Sequence, residues 1–252
     1  MFKTNQLTQF DCDGIIKCGR YGFMPNRLTF CGPDKNKDLF QYCHNNKTDE
    51  GLKQILEEFQ TLYPYLKFIA KQNNIKDPFD ERVVEAYWIG NYLLENISKS
   101  QIYNHLVDNL QIKKKLSKLS MKNLNRKIFL GAKAHHNFHV LSVWKQVNEI
   151  DSIQVLNSMD LCRISWGKIK KINKSNLEVE YFPLILRDNK LDLGELTKYK
   201  ISYQIANMGF IKKPKKNDWV SIHWGFACEI LNDWQVANLK KYTLENIQLA
   251  NC

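Results

Sequence analysis

Near residue 155 the apolar residues of this 252-residue chain change their spacing, and no other feature limits its fold so strongly. Upstream the spacing is helical. Thr48 and Asp49 stand where they can cap a run through LKQILEEFQTLYPYLKFIAKQ, with a bend or interruption expected at Pro64. Asp77-Pro78 opens DPFDERVVEAYWIGNYLLENI with an N-cap, a first-turn proline and early acids, and Val84, Tyr87, Ile89 and Leu94 supply part of its apolar stripe. SKSQIYNHLVDNL and the basic stretch after it suggest two more helices. Downstream, CRISWGKIKKI, NLEVEYFPLIL, LTKYKISYQI and NDWVSIHWG alternate, and they read as short antiparallel strands separated by Asn173, Asn189, Gly194 and Asn217. In VSIHWGFACEIL, residues 220–231, alternation places Val220, Ile222 and Trp224 on one face and Ser221 and His223 on the other. The last segment returns to helical spacing, with Asn232 or Asp233 as cap and Val236, Leu239, Leu244 and Ile247 on its apolar side. The expected architecture is α+β. A mainly helical domain spans residues 1–155, irregular through its cysteine-containing first 47 residues, and a small β-barrel with a C-terminal helix spans 156–252.

Several classes are disfavoured. No stretch of about 18 apolar residues is present, so no membrane helix is expected. The opening MFKTNQLTQFDCDG lacks the apolar core of a signal peptide. Seven cysteines, an odd number at irregular spacings, suit a reduced, cytoplasmic protein rather than a disulfide scaffold. Neither GxxxxGK[ST], GxGxxG nor GxSxG occurs, which argues against an ordinary kinase, dehydrogenase or hydrolase. The net charge of +11 is spread along the chain, apart from seven basic residues and no acid in residues 112–127. Such a run fits a nucleic-acid or acidic-protein partner, or simply a solvated helix face.

Two clusters carry metal-ligand residue types. AKAHHNFHVLSVW holds His135, His136 and His139; on a helix His135 and His139 share a face, as two imidazoles on one metal do. The zinc-protease pattern needs Glu after the first histidine and finds His136 instead. Cys12, Cys18, Cys31 and Cys43 contain no Cys-x-x-Cys pair, so a structural zinc site is weakly signalled and buried thiols are the default.

Read together, LCRISWGKIKKI (161–172) and KPKKNDWVSIHWGFACEILNDWQVANLKKYTLENI (213–247) resemble the HypC/HupF family of [NiFe]-hydrogenase maturation chaperones. Cys162 falls on that family's cysteine and Gly167-Lys168 on its Gly-Lys. Asp218-Trp219-Val220 and His223-Trp224-Gly225-Phe226-Ala227 fall on its Gly-Asp-aromatic-Val strand and His-x-Gly-Phe-Ala signature. Here the cysteine is internal rather than next to the initiator methionine, and Trp166 stands where the family has proline. The resemblance implies an OB-like barrel and a non-enzymatic accessory role. It further implies an iron carrying cyanide and carbon monoxide, the Fe(CN)2CO moiety, held through Cys162 with His223 nearby. The implied partners are a HypD-like protein and a hydrogenase large-subunit precursor, met through Trp166, Gly167, Trp224, Gly225 and Phe226. His135, His136 and His139 are weaker metal candidates, expected to converge with Cys162 between the domains.

Two other functions stay open. A single-strand-binding barrel would use Trp166, Tyr181, Phe182, Tyr199, Tyr203, Trp219 and Trp224 as stacking platforms among the lysines. A metal-dependent enzyme would centre on the HHxxH run.

Overall fold

The computed structural model describes residues 14–144 and 153–252. Helix α1, Gly14–Arg27, and helix α2, Asn36–Asn45, replace the irregular chain expected over most of residues 14–45. The glycines that suggested turns serve close packing instead: a Cβ on Gly19 would come within 2.7 Å of Cys43 Sγ, so its absence lets α1 and α2 approach. Cys12 lies outside the described residues. Pro25 sits inside α1 and removes the amide that would bond to Tyr21, four residues back.

Helix α3, Glu50–Glu57, is capped by Asp49, which accepts from Leu52 N at 3.1 Å. The interruption expected at Pro64 falls earlier, because α4 runs from Leu62 to Gln72 and takes Pro64 in its first turn, where no intrahelical bond is lost. Helix α5, Glu81–Trp88, also starts later than expected. Its cap is Asp80, while the Asp77 carboxylate turns back to Phe79 N at 2.9 Å. Helices α6, Lys99–Asn104, and α7, Lys118–Phe129, follow, capped by Ser98 and Ser117.

A connecting helix, Ile153–Cys162, delivers the chain to the barrel, so Cys162 closes a helix rather than opening a strand. Asp160 and Arg163 fix this junction. The Asp160 carboxylate accepts from Leu184 N at 2.9 Å and Tyr181 OH at 3.2 Å, and Arg163, 1% exposed, donates to Asp160 and to the Phe182 carbonyl.

The strands are β1 (Ser165–Ile172), β2 (Asn176–Tyr181), β3 (Leu184–Arg187), β4 (Lys190–Leu193), β5 (Thr197–Ser202), β6 (Gln204–Ile205), β7 (Met208–Gly209), β8 (Trp219–His223) and β9 (Phe226–Leu231). Five of them close a barrel in the order β1-β2-β5-β9-β8, with β8 returning to β1 and only β5–β9 parallel. This is an OB-like Greek-key barrel. The β3–β4 and β6–β7 ribbons are additions between its strands. Asp188-Asn189, Ala206-Asn207 and Trp224-Gly225 each have φ between 50° and 68°, the two-residue geometry that suits the twist of a hairpin.

Ile169, Leu177, Val179, Ile201, Val220 and Ile222 fill the barrel. The C-terminal helix, Asp233–Ala250, starts with a capping box between Asn232 and Gln235 worth about 1 kcal/mol. Leu239 and Ile247 are buried along it, whereas Leu244 is 37% exposed and Tyr242 takes the inward position. One hydrophobic cluster runs from α1 through Tyr87 and Trp88 to Trp166, Phe226, Leu239 and Tyr242, so helical part and barrel share a core. Strand β8 is consequently buried on both faces: Val220 and Ile222 point into the barrel, while Ser221 and His223 meet α1.

Candidate metal centre

His223 ends β8, and the chain turns at once through Trp224-Gly225, where Trp224 has φ of 50°. A bulky residue in this region is an outlier that surrounding contacts must hold. Trp224 N donates to the Leu161 carbonyl at 2.7 Å, and its indole stacks on Phe30 at 4.4 Å. The first of these contacts brings the two motifs of the sequence together across some 60 residues, with Cys162 beside the His223 turn.

The imidazole of His223 is oriented by α1. Its Nδ1 lies 2.7 Å from the Tyr21 carbonyl, which can only accept, so Nδ1 carries the proton and Nε2 keeps a lone pair. That carbonyl is available because Pro25 has no N–H to claim it. Among the described residues Nε2 is buried without a hydrogen-bond partner. Burial holds His223 down at about 4, against smaller opposing effects of the Tyr21 and Cys162 backbone, so the ring is neutral near pH 7.

The histidine run does not form one helical face. His135 has extended backbone and caps the short helix His136–Phe138, taking Asn137 N on its own Nδ1 at 3.0 Å; its ring stacks on Tyr242. His139 begins a π-helical stretch and faces Tyr65 at 3.4 Å. His135 and His139 thus face different rings, Tyr242 and Tyr65, and neither joins the donor atoms that gather at Cys162. His136 alone reaches the barrel: Nε2 lies 2.9 Å from the Cys162 carbonyl and Nδ1 lies 3.1 Å from Tyr87 OH. It is therefore the Nε2–H tautomer, accepting at Nδ1. Burial, then the nearby His223, holds its pKa well below the usual range.

Donor atoms of His136, Cys162 and His223 lie within 4.8 Å of one another. Trp88 walls them, with ring centroids 4.6 Å from His136 and 5.6 Å from His223. Burial, then the thiol of Cys31, pushes Cys162 up to about 12. Without a metal this centre is two neutral imidazoles and a neutral thiol. A cation would favour the thiolate and release its proton. One thiolate with two imidazoles suits borderline transition ions such as zinc, iron or nickel, and the unpartnered Nε2 of His223 is ready to ligate.

Of the residues assigned to partner contact, Trp166 and Phe226 are 4% and 0% exposed and belong to the shared core, so neither lies at the surface. Gly167 is buried in β1, where a Cβ would meet Ile222 and Val179 at 3.0 Å. Trp224 and Gly225 are partly exposed. Sequence reasoning missed Tyr21, Tyr87 and Trp88 as the framework of the centre. The one available signal was Pro25, which in a helix frees the carbonyl four residues earlier.

A family model described as a family of unknown function, DUF6390, matches residues 11–252. The chain belongs to this family. The match spans the helical part and barrel alike, as their shared core requires of any DUF6390 member built on this plan. No curated protein and no solved structure matches the chain.

Proposed function

We propose that the chain is a metal-handling maturation factor of the HypC/HupF kind, acting in the cytoplasm as an accessory protein rather than a catalyst. Its cargo is an iron centre, the Fe(CN)2CO moiety, held through Cys162 with His223 and His136. The observation that carries this reading is the meeting of His136, Cys162 and His223 donor atoms within 4.8 Å, where the two motifs of the resemblance come together. The chemistry supports it: a thiolate is a strong ligand for low-spin iron, and His223 offers a free Nε2 lone pair, whereas His136 would ligate by exchanging its bond to the Cys162 carbonyl or to Tyr87 for the metal. No helix among the described residues is long and apolar enough to cross a membrane. The partly exposed Trp224-Gly225 turn beside Cys162 is the natural contact for a HypD-like protein and a hydrogenase large-subunit precursor.

Single-strand binding has less support. Of the stacking candidates Trp166 and Tyr203 are committed to the core, and Glu178 and Glu180 stand opposite Lys200 and Lys198 in the β2–β5 register, offsetting the basic charge there.

Anaerobic affinity purification of wild type and Cys162→Ala from cells, with metal analysis and infrared spectroscopy, tests the proposal. Hydrogenase-assembly partners and cyanide and carbonyl bands, both lost in the variant, are expected. Nucleic acid or unrelated proteins with no bands and no effect of the substitution would overturn it.

A further inference from the structure

The two most exposed large apolar side chains of the described residues stand on one helix. Phe129 is 73% exposed and Leu119 is 69% exposed, both on α7, and Leu130, its C-cap, is 50% exposed. From Leu119 to Leu130 is about three helical turns, or about 16 Å, so the two leucines share a face within roughly 20°. Lys122 and Arg126 fall between them on that face, with Lys118 and Phe129 along one side. The stripe therefore reads apolar, basic, basic, apolar.

Side chains so exposed form a ridge rather than a groove. At its C-terminal end Gly131 has φ of 109°, and a Cβ there would meet nothing within 4 Å, so the turn stands clear of its surroundings. The opposite face is anchored. Leu124, Lys127 and Ile128 are buried, and the Lys127 ammonium donates to the Ala250 carbonyl at 2.9 Å. The helix is thus formed before anything binds it.

The charge on the ridge is uncompensated. Lys113, Lys114, Lys115, Lys118, Lys122 and Arg126 are exposed, and none forms an ion pair among the described residues. Elsewhere exposed bases are paired: Lys133 and Lys241 with Glu95, Lys170 with Glu180, and Arg187 with Asp192. The ammonium of Lys99 adds to the field, 4.7 Å above the Phe129 ring.

This combination narrows the partner. Lysine is depleted from protein–protein interfaces, and a nucleic-acid backbone would satisfy the bases but leave the leucines in water. An anionic bilayer takes both: its headgroups attract lysines, and the boundary between headgroups and acyl chains accepts apolar side chains.

We propose that α7 is a peripheral docking element for an anionic lipid surface. Leu119, Phe129 and Leu130 enter the headgroup–acyl boundary, Lys118, Lys122 and Arg126 face the headgroups, and residues 113–115 add to the attraction. The inference goes beyond the metal centre and is independent of it, because it places the chain at a membrane whatever Cys162 holds.

The test is co-sedimentation of the purified full chain with vesicles of phosphatidylcholine alone and of equal parts phosphatidylcholine and phosphatidylserine. Binding should be at least about tenfold tighter to the second and should weaken steeply with salt. Lys118→Glu/Lys122→Glu/Arg126→Glu should lose it, since each basic residue near such a surface is worth roughly fivefold. Phe129→Ser/Leu130→Ser keeps every charge and should bind about tenfold more weakly or worse. All the substituted positions are exposed, so both variants should keep the wild-type urea midpoint. Cys162→Ala should bind as wild type does, which separates this proposal from the metal reading. Equal affinity for the two vesicles, or a charge variant that binds like wild type, would overturn it. So would full binding by Phe129→Ser/Leu130→Ser, which would mark attraction to charge alone, or a preference for a single-stranded oligonucleotide over the vesicles. Acetylation of the wild type needs no variant: vesicles should shield Lys118 and Lys122, and their full reactivity in the bound protein would refute the docking face.

Discussion

The Tyr21 carbonyl accepts a 2.7 Å hydrogen bond from His223 Nδ1, across 202 residues of sequence, because Pro25 leaves that carbonyl without its helical donor. A helix defect in α1 thus sets the tautomer of an imidazole at the end of β8. Pro25→Ala restores the competing N–H. Nitrogen-15 spectra of the wild type should show Nδ1–H for His223 and Nε2–H for His136, and the variant should lose the fixed tautomer at His223. Affinity of the centre for Co2+ should fall by about tenfold or more, as for other changes to groups that orient ligands. Unaltered His223 shifts and unaltered affinity would refute this account.

Lys17 joins the helices to the barrel electrostatically. Its ammonium lies 3.1 Å from Glu81, 4.0 Å from Glu85 and 3.5 Å from Glu229, with its side chain 4% exposed. Burial opposes the charge, yet Glu229, Glu85 and Glu81 outweigh it and raise the pKa above its ordinary 10.5. Lys17→Met leaves the largely buried Glu229 and Glu85 carboxylates uncompensated and should cost about 3–5 kcal/mol at pH 7. Because the folded value is raised, this stabilisation is complete below pH 10.5 and is lost only as pH climbs beyond it. Urea unfolding of wild type and variant at pH 7 and pH 10 checks both statements; a difference under 1 kcal/mol at pH 7 would contradict the first.

Gly90, at φ 93°, follows α5 where the C-terminal helix crosses, and a Cβ there would fall within the Tyr242 ring. Tyr242 OH also donates to the Asn91 carbonyl at 3.1 Å and to Glu95 at 3.0 Å. Gly90→Ala therefore combines backbone strain with overpacking and should destabilise by about 2–4 kcal/mol. A variant with an unchanged urea midpoint would show that the helix can shift without cost.

His105, stacked on Phe68 at 4.3 Å, is held neutral at about 3, first by burial and then by His139. The unfolded chain takes up this proton near pH 6.5, so stability falls as pH drops from 6.5 towards 3. Relative to His105→Phe, the wild type should lose stability in that window at up to about 1.4 kcal/mol per pH unit. Parallel profiles of urea midpoint against pH would rule out this contribution.

The barrel was legible because its inward positions, Ile169, Val179, Val220 and Ile222, alternate with polar neighbours. Helix α1 was not. Gly19, Gly22 and Pro25 carry turn propensity, and only the long-range contact of Gly19 with Cys43 shows why glycine is needed in a helix there. At the centre, His223 and Cys162 were visible as motif residues, whereas the choice of His136 over His135 and His139 depends on His135 becoming a cap. The stack of Phe30 on Trp224 beside the centre is a tertiary contact that sequence spacing does not encode.

The Trp224-Gly225 hairpin pairs His223 directly with Phe226. One inserted residue would slip β9 by one position and turn Ala227 out of the barrel and its neighbours in. The spelling His-x-Gly-Phe is therefore a rule of turn grammar, imposed by the length of the hairpin. A chain could keep that spelling for its fold alone, and the information about chemistry resides in which residues stand opposite it.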